Sequence, residues 1–291
     1  MPNALPGHFS WENNVADHAL AAGLATEAGV LLQRLRAERG FADPRALREA
    51  GDQGSHDYLV AELTAHRPGD SVLSEEGLDD SVRLCGDRVW IVDPLDGTRE
   101  FGEEDRTDWA VHVALWEQGR LTAGAVALPA LGKTLSTAAG GAEIIEDHAI
   151  SRSRLHIGDL TEVGTIKVAV SRTRPPEFLQ RLAGHLAADG VDMEFVPIGS
   201  AGAKISAVLL GEVDAYIHAG GQYEWDSAAP VAVALAAGAH ASRIDGTPLE
   251  YNQKDPKLPD ILVCHPDLAR TLLAGIRTVT ETQQIDVERK S

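Results

Sequence analysis

Acidic residues at spaced points in this chain could be gathered for metal-assisted chemistry, and the segment Arg88-Val-Trp-Ile-Val-Asp93-Pro94-Leu95-Asp96-Gly97-Thr98-Arg99-Glu100 is the most informative of them. An apolar strand is predicted to end in Asp93. Pro94 is expected to halt its ladder, and Asp96 follows just before a Gly-Thr pair able to open a helix. This would turn two carboxylates toward one point at the end of a sheet. Two anions that close repel and raise each other's pKa unless a divalent cation sits between them. Oxygen-only ligands favour Mg²⁺, Mn²⁺ or Ca²⁺ over zinc, and the alternating acidic ladder of an EF-hand is absent. Taken alone, Asp96 could merely cap a helix and Asp93 make a turn.

Two further segments shift that balance. Leu73-Ser74-Glu75-Glu76-Gly77 puts two acids right after a predicted strand, and Glu224-Trp225-Asp226-Ser227 puts an Asp at the start of an Ala-rich helix. Singly, these read as a solvated loop and an ordinary N-cap. Their joint occurrence with Asp93 and Asp96 is what carries weight.

The elements that must position these acids follow from hydrophobic periodicity. Helices are expected over 14–36 and 55–66, and a short strand over 71–73. A β-rich stretch covers 88–92, 109–116, 121–128 and 133–137. Beyond about residue 150 strands and helices alternate: strands at 167–170, 194–197, 215–218 and 261–264, helices at 177–188, 201–210, 226–237 and 266–277. The irregular polar run 147–164 divides the chain into an α+β part, 1–150, with most of the acids, and an α/β part, 151–291, supplying Asp226. The tail from Thr278 is expected to fray.

Composition narrows the function. With 291 residues, 44% of them hydrophobic, the chain can bury a large core. Asp and Glu number 44 against 26 Lys and Arg, and no basic run could track a nucleic-acid backbone. So acidic a surface repels small anions too, and a phosphate substrate would need bound cations or helix N-termini to offset that repulsion. Cys85 and Cys264 lie far apart with no metal-binding spacing around them, as suits a reduced pair. No leader pattern or long apolar run is found, so a cytoplasmic protein without membrane attachment is expected.

The series Asp52, Glu75-Glu76, Asp93-Pro-Leu-Asp96-Gly97-Thr98 and Trp225-Asp226 resembles the inositol monophosphatase superfamily, the lithium-sensitive, Mg²⁺-dependent phosphatases, from roughly Val15 to Pro266. The resemblance implies a five-layered αβαβα sugar-phosphatase-like fold with two subdomains. It also implies that Glu75, Asp93, the carbonyl of Leu95, Asp96 and Asp226 hold two to three Mg²⁺ ions. Thr98 and Asp52 would then orient and deprotonate the attacking water, and the amides of Gly97 and Thr98 would hold the phosphate. One departure concerns Asp52. Members of the superfamily usually show a Thr-x-Ala-Asp-like run, where this chain reads Arg48-Glu49-Ala50-Gly51-Asp52.

Within the superfamily, three features resemble the 3'(2'),5'-bisphosphate nucleotidase branch, the CysQ type: Ser74-Glu75-Glu76, Ser171-Arg172-Thr173-Arg174, and Gly199-Ser200 followed by Lys204. The implied substrate contacts are Ser171, Arg172, Ser200, Lys204 and Asp226. Ser171 and Arg172 could instead form a plain turn, and Lys204 could be a surface lysine. Sugar-contacting members carry an acid seven residues ahead of the Trp-Asp aspartate, and Ala219 stands there. Losing such a hydroxyl acceptor costs about 1 to 3 kcal/mol. The leading expectation is removal of the 3'-phosphate from adenosine 3',5'-bisphosphate or its sulfated form. An inositol-1-phosphate or fructose-1,6-bisphosphate phosphatase is the alternative, and a non-catalytic metal or nucleotide sensor is the reading of another class. His56, His112 and Cys85 are read as structural, and a homodimer is left open.

Overall fold

Successive strand residues point to opposite faces of a sheet, and here the alternation delivers their side chains to different cores. In β2 (Arg88–Asp96), Trp90 and Val92 enter one core while Val89 and Ile91 enter another. In β8 (Thr165–Ser171), Val168 and Val170 enter a third, while Ala169 joins the core shared with β2. Three cores hold five layers together, the one shared by β2 and β8 filling both sides of the middle layer. The structure is a computed structural model describing residues 16–146, 151–158, 160, 164–173 and 175–288, with side chains to 281.

The first layer is α1 (Asp17–Arg39) and α2 (Pro44–His66), whose leucines cover one face of a seven-stranded sheet. That sheet runs in sequence order through β1 (Ser71–Ser74), β2, β3 (Ala110–Glu117), β4 (Arg120–Leu128), β5 (Lys133–Ala138), β6 (Gly141–Glu146) and β7 (Ser151–Leu155). β1 pairs parallel with β2, and every later pair is antiparallel. The one-turn α3 (Thr98–Phe101) follows β2.

The second sheet has the order β11-β12-β10-β8-β9, with β9 at Asp192–Ile198, β10 at Ala215–Tyr223, β11 at His240–Ser242 and β12 at Lys257–Cys264. Between the sheets lie α5 (Ala201–Leu209) and α6 (Glu224–Ala236), both apolar nearly all round because each is covered on two sides. Outside the second sheet, α4 (Phe178–Ala188) and α7 (Pro266–Glu288) close the last core with Leu179, Leu182, Leu268 and Leu272. Helices α5 and α6 come from the second part of the chain, yet both rest on strands of the first sheet.

Several expectations need amendment. Pro94 does not stop β2, which bulges between Asp93 and Asp96 and re-pairs at Ala110. Helix α2 starts at Pro44, directly after the capping Asp43, rather than at residue 55. The alanine- and glycine-containing run 46–54 lacks the apolar stripe that marks a helix in sequence, but Leu47 and Gly51 are its buried positions. Helix α7 continues past Thr278 to Glu288. Strands β6, β7 and β11 have no counterpart in the sequence reading, and β7 carries the first sheet to residue 155. Parts of the irregular run 147–164, the first residues of the first expected helix, and Arg174 lie outside the described residues. Among those described, no helix is long and apolar enough to cross a membrane, and both cysteines are free.

Candidate active site

The bulge in β2 is where the acids meet. Asp93 is buried at the last regular position, paired across the ladder with His112 of β3. Its Oδ1 accepts from the amide of Leu95 at 3.0 Å, which fixes the bulge. Its Oδ2 is buried with no hydrogen-bond partner. Glu75, leaving β1 beside it, approaches within hydrogen-bonding reach, so two carboxylates face each other with no donor between them. Ser55 Oγ of α2 donates to the Pro94 carbonyl at 2.7 Å and holds the bulge from behind.

Asp96 reaches into the inter-sheet layer. It accepts from the amides of Ala201 (3.2 Å) and Gly202 (2.6 Å) at the start of α5, so a carboxylate from the first sheet caps a helix from the second part of the chain. Asp226, in the first turn of α6, accepts from the Tyr223 amide at 2.6 Å and completes the group.

Electrostatics report the crowding. Burial of the carboxyl, then the charge of Asp226, pushes Glu75 up to about 7, although the residue as a whole is exposed. Burial, then Asp96, lifts Asp226 to about 7, and burial, then Glu75, holds Asp93 well above the usual carboxylate range. Asp96 alone is depressed: burial works against its charge, but His112, the Gly202 amide and Lys204 outweigh it.

His112, read as structural from sequence, belongs to this cluster. With one ligand atom from each residue, Asp93, Asp96 and His112 lie within 4.8 Å of one another, a group able to hold a cation. No sequence signal marked it, because the register opposite Asp93 is a tertiary fact. His56 stays outside, its Nδ1 at 2.9 Å from Ser74 Oγ.

Asp52 and Thr98 come together as expected. Thr98 Oγ1 lies 3.3 Å from Asp52 Oδ1 and 3.1 Å from the Leu95 carbonyl oxygen. Burial, followed by Glu76, raises Asp52 to about 6. The unusual Gly51 has a steric reason: a Cβ there would meet Phe101 Cε1 at 2.7 Å and Leu95 Cδ2 at 3.0 Å. Its absence lets α2 lie close enough for Asp52 to reach Thr98. Gly97 takes the left-handed conformation at φ +88°, which directs the chain into α3.

The expected substrate contacts form a second group beside the acids. Ser200 caps α5 by accepting from Ala203 N at 2.9 Å. Lys204 is buried, not on the surface: its Nζ donates to the Gly199 carbonyl and sits 5.3 Å from the Tyr216 ring centroid. Arg172 reaches Glu100 at 2.5 Å and Glu103 at 3.3 Å rather than the acid cluster. Ser171, at the end of β8, accepts from the Thr173 amide at 3.4 Å.

The model of the inositol monophosphatase family matches residues 14–281 of this chain. The chain belongs to the inositol monophosphatase family. Among proteins similar to it, the 3'-phosphoadenosine 5'-phosphate phosphatase of Mycobacterium leprae is 51% identical over 92% of this chain and 96% of that protein. The 3'(2'),5'-bisphosphate nucleotidase CysQ of Escherichia coli is 32% identical over 71% and 80%. Among solved structures, CysQ of Bacteroides thetaiotaomicron, an inositol monophosphatase family member, superposes with a TM-score of 0.71 at 26% identity, covering 87% of this chain and 99% of that one. The layered arrangement described above is therefore an inositol monophosphatase fold, and the acid cluster lies where its two sheets and α5 and α6 converge.

Proposed function

We propose that this inositol monophosphatase family member is a Mg²⁺-dependent phosphatase that removes the 3'-phosphate from adenosine 3',5'-bisphosphate, or from its sulfated relative, leaving AMP or adenylyl sulfate. The observation that carries the reading is the Glu75–Asp93 pair, two carboxylates in mutual reach with a buried, unpartnered Asp93 Oδ2. Such a pair needs a shared proton or a cation, and an oxygen-rich donor set suits Mg²⁺. Glu75, Asp93, the Leu95 carbonyl, Asp96 and Asp226 would hold two to three ions. When bound, Mg²⁺ offsets charge on the transferring phosphoryl group and makes a coordinated water easier to deprotonate.

The chain's own residues do the rest. Asp52, poised at about 6, accepts the water's proton while Thr98 Oγ1 orients it. The amides of Gly97 and Thr98 face the phosphate as the backbone turns into α3. His112 and Lys204 place positive charge behind Asp96 and Asp226. Lys204 with Ser200, and Arg172 with Ser171, are assigned to the second phosphate and the nucleoside. The nucleotide is favoured by 51% identity to a protein named for that substrate and by Ala219 where a sugar-binding acid would stand.

Initial rates with Mg²⁺ on adenosine 3',5'-bisphosphate, inositol-1-phosphate and fructose-1,6-bisphosphate test the proposal. The nucleotide should give the largest kcat/KM. A larger value for inositol-1-phosphate would overturn the specificity, and no release from any ester would overturn the activity.

A further inference from the structure

The acids come from two directions: Glu75 follows β1 in the first sheet, and Asp226 stands on α6, which leaves the second. Backbone pairing does not join those two carriers, since they lie in different sheets. A polar chain built on the buried side chains of Arg83, Asn252 and Glu224 joins them instead.

Arg83 is 1% exposed, in the short 3-10 turn Ser81–Cys85 that follows the Glu75 loop. Its guanidinium grips Asp79, four residues beyond Glu75, through Nε at 2.6 Å and Nη2 at 3.0 Å. It also donates to Asn252 Oδ1 at 2.6 Å and to the Gln253 carbonyl at 2.8 Å, in the loop before β12. Asn252 takes φ +60°, a left-handed conformation that asparagine adopts more readily than most other residues with a side chain. From the other side, Glu224 accepts from the amides of Asn252 at 2.6 Å and Gln253 at 2.7 Å, one with each carboxylate oxygen. Glu224 opens α6, two residues ahead of Asp226, and its own amide donates to the Pro256 carbonyl at 2.8 Å. The path Asp79–Arg83–Asn252/Gln253–Glu224 thus has no unmatched link.

We propose that Arg83 and Glu224 are positioning residues that clamp the Glu75 loop to the start of α6 and so fix where Glu75 and Asp226 stand within the cation site. Neither touches the acid cluster. Arg83 is suited to the task because one planar fork satisfies a carboxylate and two loop acceptors at once, which a lysine cannot do. The inference rests on the cation site proposed above.

Calorimetric titration of the full-length, EDTA-stripped protein with Mg²⁺, run with thermal melts, tests it. Arg83→Met and Glu224→Gln should each weaken Mg²⁺ binding about tenfold, the scale typical of residues that orient metal ligands, and the double variant should add little to either. The Mg²⁺ concentration for half-maximal phosphate release should rise in step, with kcat at saturating Mg²⁺ nearly kept. Arg243→Met, which breaks the distant pair with Asp260, is the control that lowers the melting temperature without changing Mg²⁺ affinity. Wild-type Mg²⁺ affinity in a folded Arg83→Met or Glu224→Gln protein would overturn the clamp. Should Arg83→Met fail to fold, Glu224→Gln and Asn252→Ala decide the matter on the same criterion. A wild-type protein that binds no Mg²⁺ would instead remove the cation site itself, and the clamp's role with it.

Discussion

His112 Nε2 lies 3.2 Å from Asp96 Oδ2, while its Nδ1 meets the Trp225 carbonyl oxygen at 3.0 Å. A carbonyl only accepts, so Nδ1 carries a proton, and Nε2 faces the carboxylate either protonated or as a lone pair. Although burial alone would favour the neutral ring, Asp96 and the Trp225 carbonyl raise the His112 pKa. Protonated, the ring is a counter-charge for Asp96; neutral, its Nε2 is the ligand atom that completes the group with Asp93 and Asp96.

This relationship depends on Gly202, where a Cβ would sit 2.1 Å from His112 Nε2. Gly202→Ala should push α5 away from Asp96 and lower stability by about 1 to 3 kcal/mol, the usual cost of overpacking. Denaturant midpoints should show part of that loss restored in Gly202→Ala/His112→Ala. Equal instability in the single and double variants would exclude the clash as its cause.

Asp96→Asn keeps one of the two acceptor contacts at the start of α5, through its amide oxygen, so it should leave the protein folded though less stable, and should reduce Mg²⁺-dependent phosphate release by about 100-fold or more. Circular dichroism and a phosphate-release assay on the same sample check both halves. Unchanged turnover would take Asp96 out of the site.

Asp52→Asn should cost about 100- to 10,000-fold in kcat, the range for loss of a general base. In the wild type, activity should fall as pH drops through about 6, where Asp52 takes up its proton. The variant's residual rate should lack that limb.

Metal-free stability should depend on pH in an unusual direction. Glu75 and Asp226 rise from ordinary values of 4.5 and 3.8 to about 7, with burial as the first cause in each. The folded protein therefore binds more protons than the unfolded chain between those limits. The associated stability is present below the ordinary values and is lost as pH rises through about 7. Asp96 opposes this, since its contribution is lost only in stronger acid. Urea midpoints in EDTA should be lower at about pH 8 than at about pH 5, and Mg²⁺ should reverse the order by displacing those protons.

Millimolar Li⁺ should inhibit, as the family resemblance implies, by taking the place of one Mg²⁺. Phosphate release measured with rising LiCl, against KCl at equal ionic strength, checks this.

The acids could be read in the sequence because each ends or begins an element: Glu75 after β1, Asp93 and Asp96 at the bulge, Asp226 in the first turn of α6. Local chemistry was enough there. His112 could not be read, because its place opposite Asp93 comes from strand register, and its neighbours Val111 and Val113 mark only a buried strand. Lys204 looked equally able to lie on the surface, and only the second sheet over α5 encloses it. β6 and β7 were missed for a different reason. β7 is the edge strand of the first sheet and β6 lies beside it, and both bury little: β6, Gly141–Glu146, has two buried residues and β7, Ser151–Leu155, one, with no alternating pattern to detect.

The placement of α5 and α6 against the first sheet has a consequence for how the polypeptide is made. Val89, Ile91, Val126 and Leu128 are covered by residues that leave the ribosome much later, such as Val208 and Val233. A nascent chain ending near residue 150 therefore presents an oily sheet face with nothing to shield it. Expressed alone, that fragment should aggregate, and supplying the missing C-terminal piece in trans should rescue it only if both are present before the bare sheet finds another copy of itself.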